Sequence, residues 1–420
     1  MKRRWTKLGV SCLTILALTA TLGLSCGGNG GQTVVIGNLT DLSGVGASAL
    51  EPMTWALEDM VKEINEEEPV PGVEFEVMNF DTAFDTARFV PGYQRLKDRG
   101  AKVIISVFSD ATEALMPLAE RDKVPVLGMA TTLPMIEDPG WVFAFSVPGR
   151  WSIMLMLDWI AEQWEAEGKY DTVGKPTLAS TGWDDGWGRE QEEGARDYCA
   201  AFPDKFEYVS GNLAPVGTTE WVAEVKALKN VDYVSLCGTG ALQPATFIKQ
   251  YRDAGGTGTF ISTESPTAYL GYIVDYCGWD AVDGSLNTQG WGWWHLDPTE
   301  YPDCKYVKDV VYKHHEQSVA DDLVHAGMGY LGGGAMQKFA LDILVEAVRQ
   351  VGFEDFDGQA YYDTAVQYMV DWSGSQRGFT ETRRYVTDEM VVLRWDAAEE
   401  NLILASDGWV KIAEDLKEIP

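Results

Sequence analysis

The stretch Lys102-Val-Ile-Ile-Ser-Val107 is a short apolar run that leads into Ser109-Asp-Ala-Thr112 and then into a predicted helix over 111–122. A second apolar run, over 124–129, follows that helix. Short apolar runs that alternate with helices of about twelve residues are typical of parallel strands joined by right-handed crossovers. The stretch therefore predicts an α/β fold built on a parallel sheet.

The same alternation extends in both directions from this stretch, and it restarts after an interruption near Pro148-Gly-Arg150. The predicted strands are 33–39, 73–81, 102–107, 124–129, 177–181, 208–213, 232–237 and 259–263, and the predicted helices are 51–66, 85–99, 111–122, 151–168, 188–201, 220–229 and 242–254. Two such series of similar length predict two doubly wound lobes, with ligand chemistry at the carboxyl ends of their strands.

The last third of the chain has a different pattern. It contains an aromatic stretch over 291–294, long helices over 300–319 and 329–351, and an alternating, antiparallel pair over 390–396 and 401–406. We find no repeat of solenoid period.

The N-terminus has the layout of an export signal. Four basic residues precede an uncharged stretch over 8–25, which ends at Cys26 and a glycine-rich tether. We interpret 1–25 as a signal peptide and 26–32 as a lipidated cysteine with its tether. Gly23 stands where such cysteines usually have a branched aliphatic residue, and an uncleaved anchor helix or plain secretion are the alternatives. All three interpretations export the chain, to the periplasm or the cell surface.

The exported chain is strongly acidic. Its net charge of −31 becomes about −35 once the four basic residues of the signal are removed. Such a body repels phosphate backbones, so the composition excludes a nucleic-acid partner. The hydrophobic content of 45% is that of a globular protein. About 390 residues remain after the signal, a length that suits two α/β lobes.

Four cysteines remain beyond Cys26, and an even number in an exported chain favours disulfides. Their spacing matches no compact zinc pattern. Four cysteines allow three pairings, and the sequence does not choose among them. The pairing we would choose is Cys277 with Cys304, which are closest in sequence, and the other two are Cys199 and Cys237.

Polar residues follow two neighbouring strands of the first series. Ser109-Asp-Ala-Thr112 opens a helix, and Ala130-Thr-Thr132 takes the same topological position after the next strand. The N–H groups at the start of a helix carry partial positive charge and can hold a ligand carboxylate. A plain N-cap is the alternative for Ser109. Two polar strand ends side by side favour a shared anion site.

Four short motifs follow one another along the first series. They are Leu42-Ser-Gly44, Asp81-Thr-Ala-Phe-Asp85, Ser109-x-x-Thr112 and Ala130-Thr-Thr-Leu-Pro134. In this order and spacing the chain resembles the type I periplasmic-binding proteins, specifically the branched-chain amino-acid receptors of ABC importers, over nearly all of 33–412.

The resemblance implies two lobes joined by a hinge that the chain crosses three times. The crossings are expected near 146–150, 286–290 and 371–378. The expected first lobe is 33–147 with 289–372, and the expected second lobe is 148–288 with 373–420.

The resemblance also implies a set of ligand contacts. In the leucine/isoleucine/valine receptor, a serine, an alanine backbone group and a threonine hold the α-carboxylate, and they align with Ser109, Ala130 and Thr132. A glutamate that receives the α-ammonium aligns with Glu264. A carboxylate that faces an anion site across a cleft suits a zwitterion, and the alternative for Glu264 is a solvated surface carboxylate.

Two positions depart from the family pattern. Where the receptors often have tyrosines, this chain has Gly240 and Trp187. The loss of one aromatic side chain and the enlargement of another imply a pocket for a bulkier or aromatic ligand. Among the neighbouring tryptophans we select only Trp187 as a ligand contact, and Trp183, Trp291, Trp293 and Trp294 are interpreted as core.

The sequence contains no pattern that we recognise as a catalytic, cofactor or metal site. His314 and His315 are adjacent on a predicted helix and cannot both face one metal, and the glycine pattern over 327–332 lacks the preceding strand of a dinucleotide site. No nucleophile–base pair has an interpretable spacing, which argues against an enzyme.

The sequence therefore predicts a monomeric solute-binding protein that closes on an amino acid or amino-acid-like small molecule and delivers it to an ABC permease. A ligand sensor of the same fold that signals to a partner protein, or a receptor for an aromatic acid or amide, are the alternatives.

Overall fold

The computed structural model describes residues 31–138, 140–238, 240, 242–291 and 301–419. The predictions for the signal peptide, Cys26, Trp293 and Trp294 lie outside the described residues. Within the described part, no helix is both long and apolar enough to cross a bilayer.

The first part of the chain alternates strands and helices. Its elements are β1 (Gln32–Thr40), α1 (Ala47–Glu67), β2 (Val73–Asp81), α2 (Phe89–Asp98), β3 (Ala101–Ser106), α3 (Ser109–Asp122), β4 (Val126–Gly128), α4 (Pro134–Glu137) and β5 (Val142–Ala144). The strands form one parallel sheet in the order β2-β1-β3-β4-β5. Val34, Ile36 and Leu39 of β1 are buried, as expected for a strand with neighbours on both edges and helices on the sheet faces.

A second series follows. Its elements are α5 (Gly149–Ala166), α6 (Lys169–Thr172), β6 (Thr177–Trp183), α7 (Gly186–Ala201), β7 (Glu207–Ala214), α8 (Val222–Leu228), β8 (Tyr233–Cys237), α9 (Leu242–Asp253), β9 (Thr259–Ser262), α10 (Leu270–Cys277), α11 (Trp279–Val282) and β10 (Leu286–Gln289).

The C-terminal part adds helices and antiparallel strands. They are α12 (Pro302–His314), α13 (Gln317–Ala326), α14 (Met328–Val351), α15 (Gly358–Ala365), β11 (Met369–Trp372), β12 (Ser375–Gly378), β13 (Glu389–Asp396), β14 (Asn401–Leu404), β15 (Val410–Lys411) and α16 (Glu414–Lys417). Strands β13 and β14 form the predicted antiparallel pair and extend the second sheet, whose order is β14-β13-β10-β9-β8-β6-β7 with β15 on β13. Strands β11 and β12 form a separate hairpin.

The two sheets share one topology. Their parallel strands run β2-β1-β3-β4-β5 and β7-β6-β8-β9-β10, so in each sheet the second strand of the series flanks the first on the outside. This order is doubly wound, and its switch point lies between β1 and β3 in one sheet and between β6 and β8 in the other. The predicted fold class is confirmed.

The helix predicted over 300–319 is two helices, α12 and α13. The chain is extended at His315 and Glu316. The ring of His315 lies 5.9 Å from that of Trp55 in a stacked arrangement, and its Nε2 lies 2.7 Å from Oδ2 of Asp59. These contacts with α1 accompany the break, and the periodicity of the sequence carries no sign of them.

The glycine pattern over 327–332 lies at the start of α14, where this helix packs against α1. A Cβ on Gly329 of this pattern would lie 3.1 Å from the carbonyl oxygen of Ala49, and one on Gly333, just after the pattern, would lie 2.5 Å from Cε of Met53. Side chains at these two positions would push the helices apart. The glycines therefore serve close helix packing.

The prediction of disulfides is wrong. Among the described residues, Cys199, Cys237, Cys277 and Cys304 are thiols, and none of them forms a disulfide. They lie in four different elements, α7, β8, α10 and α12, and three of them are buried as small apolar side chains. Burial raises the pKa of the Cys237 thiol to about 12, so this thiol stays protonated and unreactive.

Candidate ligand-binding site

A cavity of about 130 Å³ lies at the carboxyl ends of the two sheets. Its walls include the segments that follow β3, β4, β6 and β9, and the last residue of β10. An engineered apolar cavity of about 150 Å³ in another protein binds benzene, so this one has room for a small molecule. Doubly wound folds bind ligands at this edge of the sheet, and the cavity is therefore the candidate site.

Ser109 is the first residue of α3 and lines the cavity. It is 5% exposed, and its hydroxyl makes no hydrogen bond with any described residue. No side chain caps the N-terminus of α3, so the first N–H groups of this helix lack partners. A buried free hydroxyl beside the positive end of a helix suits a carboxylate.

Ala130 and Thr132 occupy different positions. Ala130 is half-buried and lines the same cavity as Ser109. Thr132 is 1% exposed and is not part of the cavity wall. Its hydroxyl donates to Oε1 of Glu113 at 2.5 Å. The structure thus brings Ser109 and Ala130 together and leaves Thr132 engaged elsewhere.

Glu264 faces the cavity from the second lobe, just after β9. Its Oε1 accepts a hydrogen bond from the N–H of Gly290, and its Oε2 has no partner among the described residues. Burial raises the pKa of Glu264 to about 7, although the Gly290 N–H and the charge of Arg377 act in the opposite direction. The carboxyl group therefore changes its charge near neutral pH.

The segment that holds Glu264 is itself fixed by a buried arginine. The guanidinium of Arg377 lies 4.3 Å from the ring centroid of Trp291 and 4.9 Å from that of Trp409. It donates a hydrogen bond to the carbonyl oxygen of Gly290. Cation–π contacts with two tryptophans stabilise this arginine, and its hydrogen bond to Gly290 helps to position the N–H that Glu264 accepts.

Trp187 lies in the first turn of α7, is buried and lines the cavity. The neighbouring Asp185 is the N-cap of α7 and accepts a hydrogen bond from the N–H of Gly188 at 2.7 Å. The cap fixes the start of the helix, and with it the indole at the cavity wall.

Gly240 does not line the cavity. Its φ of +130° favours glycine, and a Cβ at this position would lie 2.4 Å from Cζ3 of Trp183. Trp183 is fully buried, and its Nε1 donates to the carbonyl oxygen of Thr218 at 2.9 Å. Gly240 is therefore explained by packing against Trp183 and not by the shape of the cavity.

Most of the apolar wall was missed by sequence reasoning. Its large side chains come from the first lobe and are Met53 of α1, Phe84 and Phe89 near the start of α2, and Met328 and Met336 of α14. Helical periodicity does not distinguish a side chain that packs on the sheet from one that borders a cavity. Gln289 at the end of β10 was also missed, since a polar residue in the predicted crossing 286–290 carries no signal of its own.

Three carboxylates line the cavity, and no lysine, arginine or histidine of the described ranges does so. Asp110 accepts hydrogen bonds from the N–H of Gly186 at 3.1 Å and from Arg189 at 2.7 Å. Asp185 caps α7. Among the three, Glu264 is the one with a carboxylate oxygen left for a ligand.

The sequence model of a family described as "Periplasmic binding protein" matches residues 33–400. A comparison with curated proteins finds no significant match. A branched chain amino acid ABC transporter structure from Thermus thermophilus with bound valine has a TM-score of 0.78 at 18% identity, covering 93% of this chain and 99% of that chain.

Two other similar structures are of proteins whose ligand or name is not that of a branched-chain amino acid. A solute binding protein from R. palustris in complex with 4-hydroxybenzoate has a TM-score of 0.69 at 18% identity, covering 90% of this chain and 97% of that chain. A fatty acid ABC transporter substrate-binding protein from Thermomonospora curvata has a TM-score of 0.74 at 17% identity, covering 92% and 95%.

At these identities the structural likeness shows the fold. Together with the family match over 33–400, it confirms the resemblance on which the site residues were aligned. The chain belongs to the periplasmic binding protein family and has its type I fold.

Proposed function

We propose that this chain is the extracytoplasmic solute-binding protein of an ABC importer and that it captures an amino acid or amino-acid-like molecule by hinge closure. One observation carries the proposal. Ser109 and Ala130 follow strands of one sheet, Glu264 and Trp187 follow strands of the other, and all four line one cavity. A ligand held between these two sets connects the lobes.

The two ends of the cavity suit the two ends of a zwitterion. The free hydroxyl of Ser109 and the N-terminus of α3 favour a carboxylate. The free oxygen of Glu264 favours an ammonium. Trp187 supplies an aromatic wall. Thr132 and Gly240, which the family pattern aligns with ligand contacts, lie outside the wall and are not part of this assignment.

Hinge closure is supported by a direct contact between the lobes. Asp110 belongs to the first series, and its partners Gly186 and Arg189 belong to the second. A ligand drives closure only when it binds the closed form more tightly than the open form. We propose the lobes 33–147 with 289–372 and 148–288 with 373–420.

The remaining parts of the proposal concern location and partner. The signal over 1–25 and Cys26 support an exported lipoprotein. Membership of the periplasmic binding protein family supports delivery of the ligand to a permease, and we propose that the protein works as a monomer. Binding without catalysis is supported by the cavity wall, since no histidine, lysine or cysteine of the described residues lines it beside Ser109.

A second candidate is a receptor for a carboxylic acid that has no amine. The wall formed by Met53, Phe84 and Met336 favours an apolar or aromatic group. Similar structures include one in complex with 4-hydroxybenzoate and one of a fatty acid transporter protein.

A ligand screen tests the proposal. The purified chain without 1–25 is mixed with amino acids, aromatic acids, amides and fatty acids, and its melting temperature is measured. A ligand at a hundred times its Kd stabilises the native state by about 2.7 kcal/mol, and calorimetry should then give one site per chain. Chemical turnover of the ligand, or no stabilisation by any compound, would contradict the proposal.

A further inference from the structure

Phe84 lines the cavity from a strained turn that follows β2. Its φ angle is +55°, and that of the preceding Ala83 is +52°. Residues other than glycine rarely adopt this left-handed region, because it crowds Cβ against the backbone. Such strain persists only where the surrounding structure enforces it, and it is concentrated at active sites and ligand sites. Two strained residues in succession at a cavity wall therefore point to a role in ligand binding.

The stretch Leu42-Ser-Gly44 enforces this turn. Oδ1 of Asp81 accepts hydrogen bonds from the N–H of Leu42 at 3.0 Å and from the N–H of Ala83 at 2.9 Å. A Cβ on Gly44 would lie 2.6 Å from the carbonyl oxygen of Ala83, so a side chain there would push the two loops apart. The shared carboxylate and the close approach of the two loops together hold the backbone in its strained conformation.

The ring that the turn presents belongs to an aromatic cluster. Phe84 packs edge-to-face on Phe108, with ring centroids 5.0 Å apart, and Phe108 stacks on Phe89 at 5.4 Å. All three side chains line the cavity. Phe89 and Phe108 are 3% and 6% exposed, whereas Phe84 is half-buried. Of the three rings, Phe84 therefore has the most surface left for a ligand.

The second series of strands and helices brings further rings to the same cavity. Trp187 lies in the first turn of α7 and Tyr269 just before α10, and both line the wall. Aromatic rings prefer edge-to-face or offset-stacked contacts with one another, and these contacts add to what burial of apolar area contributes. A saturated group of the same size gains from burial alone. This wall therefore favours an aromatic group over an aliphatic one.

We propose that the ligand carries an aromatic ring and that Phe84 is the residue that selects it. The ligand ring packs on Phe84, and the contact with Phe108 keeps the Phe84 ring in position. The inference rests on the proposed function and deepens it, because it narrows an amino-acid-like ligand to one with an aryl group. It also gives the strained turn a function, which is to present Phe84 at the cavity.

Calorimetric titration with matched probes tests this. L-Phenylalanine is compared with L-cyclohexylalanine, and hydrocinnamate with 3-cyclohexylpropionate, because the members of each pair differ only in the saturation of the ring. We expect the wild type to bind the phenyl member of a pair roughly twofold to tenfold more tightly. Phe84→Leu keeps an apolar side chain but removes the ring, so the two members of a pair should then bind with equal affinity.

Phe353→Leu is the matched control. Phe353 is a half-buried phenylalanine that follows α14, packs against the core and is outside the cavity wall. The same replacement at this position should leave the preference for the phenyl probes unchanged. Melting curves of both variants establish that they are folded.

The outcomes separate the two proposals. Equal affinity of the wild type for both members of each pair would overturn the aromatic assignment, whether or not Phe84→Leu folds. A preference that persists in Phe84→Leu would overturn the role of Phe84. Either result, with a probe still bound, leaves the receptor function intact. Binding of none of the four probes would also overturn the aromatic assignment, and the proposed function would fail with it only if no compound of the ligand screen binds.

Discussion

Asp59 and Glu264 are carboxylates held away from bulk water, and their surroundings differ. Asp59 is 1% exposed, and its oxygens contact Lys62 at 2.8 Å, the hydroxyl of Tyr330 at 2.8 Å and Nε2 of His315 at 2.7 Å. Burial alone would raise the pKa of Asp59, but the hydrogen bonds from Lys62, Tyr330 and His315 outweigh it, and the pKa is lowered. Both carboxylate oxygens of Asp59 therefore have hydrogen-bond partners within the protein.

Glu264 shows the opposite case. Burial raises its pKa to about 7, and the Gly290 N–H and the charge of Arg377 do not compensate. One of its oxygens has no hydrogen-bond partner in the part of the chain that the structure describes. A carboxylate with all its partners supports the fold, whereas one that keeps a free oxygen at a cavity is available to a ligand. We therefore expect Asp59 to stabilise the fold and Glu264 to bind the ligand.

The largest expected effect is on stability. Asp59→Ala removes the shared partner of Lys62, Tyr330 and His315, and the free energy of unfolding should fall by about 3 kcal/mol. Urea denaturation measures the change. The affinity of the folded variant for an amine ligand should stay that of the wild type.

Glu66→Ala is the control for Asp59. Glu66 is exposed, and it pairs with Lys313 on the protein surface. This replacement should change the free energy of unfolding by no more than about 0.5 kcal/mol. Equal effects of the two replacements would remove the distinction between a partnered buried carboxylate and an exposed one.

The next effect is on binding. Glu264→Gln removes the negative charge but keeps an acceptor for the N–H of Gly290, so stability should be unchanged or raised. Affinity for the best amine of the ligand screen should fall roughly tenfold to hundredfold, because a charge-assisted hydrogen bond is lost. Unchanged affinity in calorimetry would show that Glu264 does not receive the ammonium.

The pH dependence of ligand binding also tests the role of Glu264. In the free protein Glu264 is protonated below about pH 7, and an ammonium binds the ionised form. Binding should therefore release a proton below this pH, and the affinity should fall by up to about tenfold per pH unit as the pH is lowered. For a ligand without an amine the affinity should rise instead. Glu264→Gln should make either profile flat.

The smallest expected effect concerns Asp110, a cavity carboxylate that has protein partners in the other lobe. The side chains of Arg189 and Asp110 are 46% and 33% exposed, so their pair contributes no more than about 1 kcal/mol. Arg189→Gln should weaken ligand affinity by a few-fold at most, and the difference should shrink in high salt. Arg349→Gln, which breaks the pair with Glu346 inside α14, should leave the affinity unchanged. An equal loss in both variants would argue against a role for Asp110 and Arg189 in closure.

The fold class and the carboxyl ends of the strands were predictable from the sequence. Alternation of apolar runs and helices predicts parallel strands, and parallel strands bring their carboxyl ends to one edge. Strand ends placed Ser109 and Ala130 at one edge, and the resemblance to the amino-acid receptors added Trp187 and Glu264. All four line the cavity.

The contacts that those residues and their neighbours make follow from the tertiary structure and were not predictable. The hydrogen bond from Thr132 to Glu113, the packing of Gly240 on Trp183 and the lack of a disulfide among the four described cysteines depend on distances between segments remote in the chain. Periodicity reports which face of an element is apolar, but hydrogen bonds and cavities are set by the side chains that other elements bring to that face.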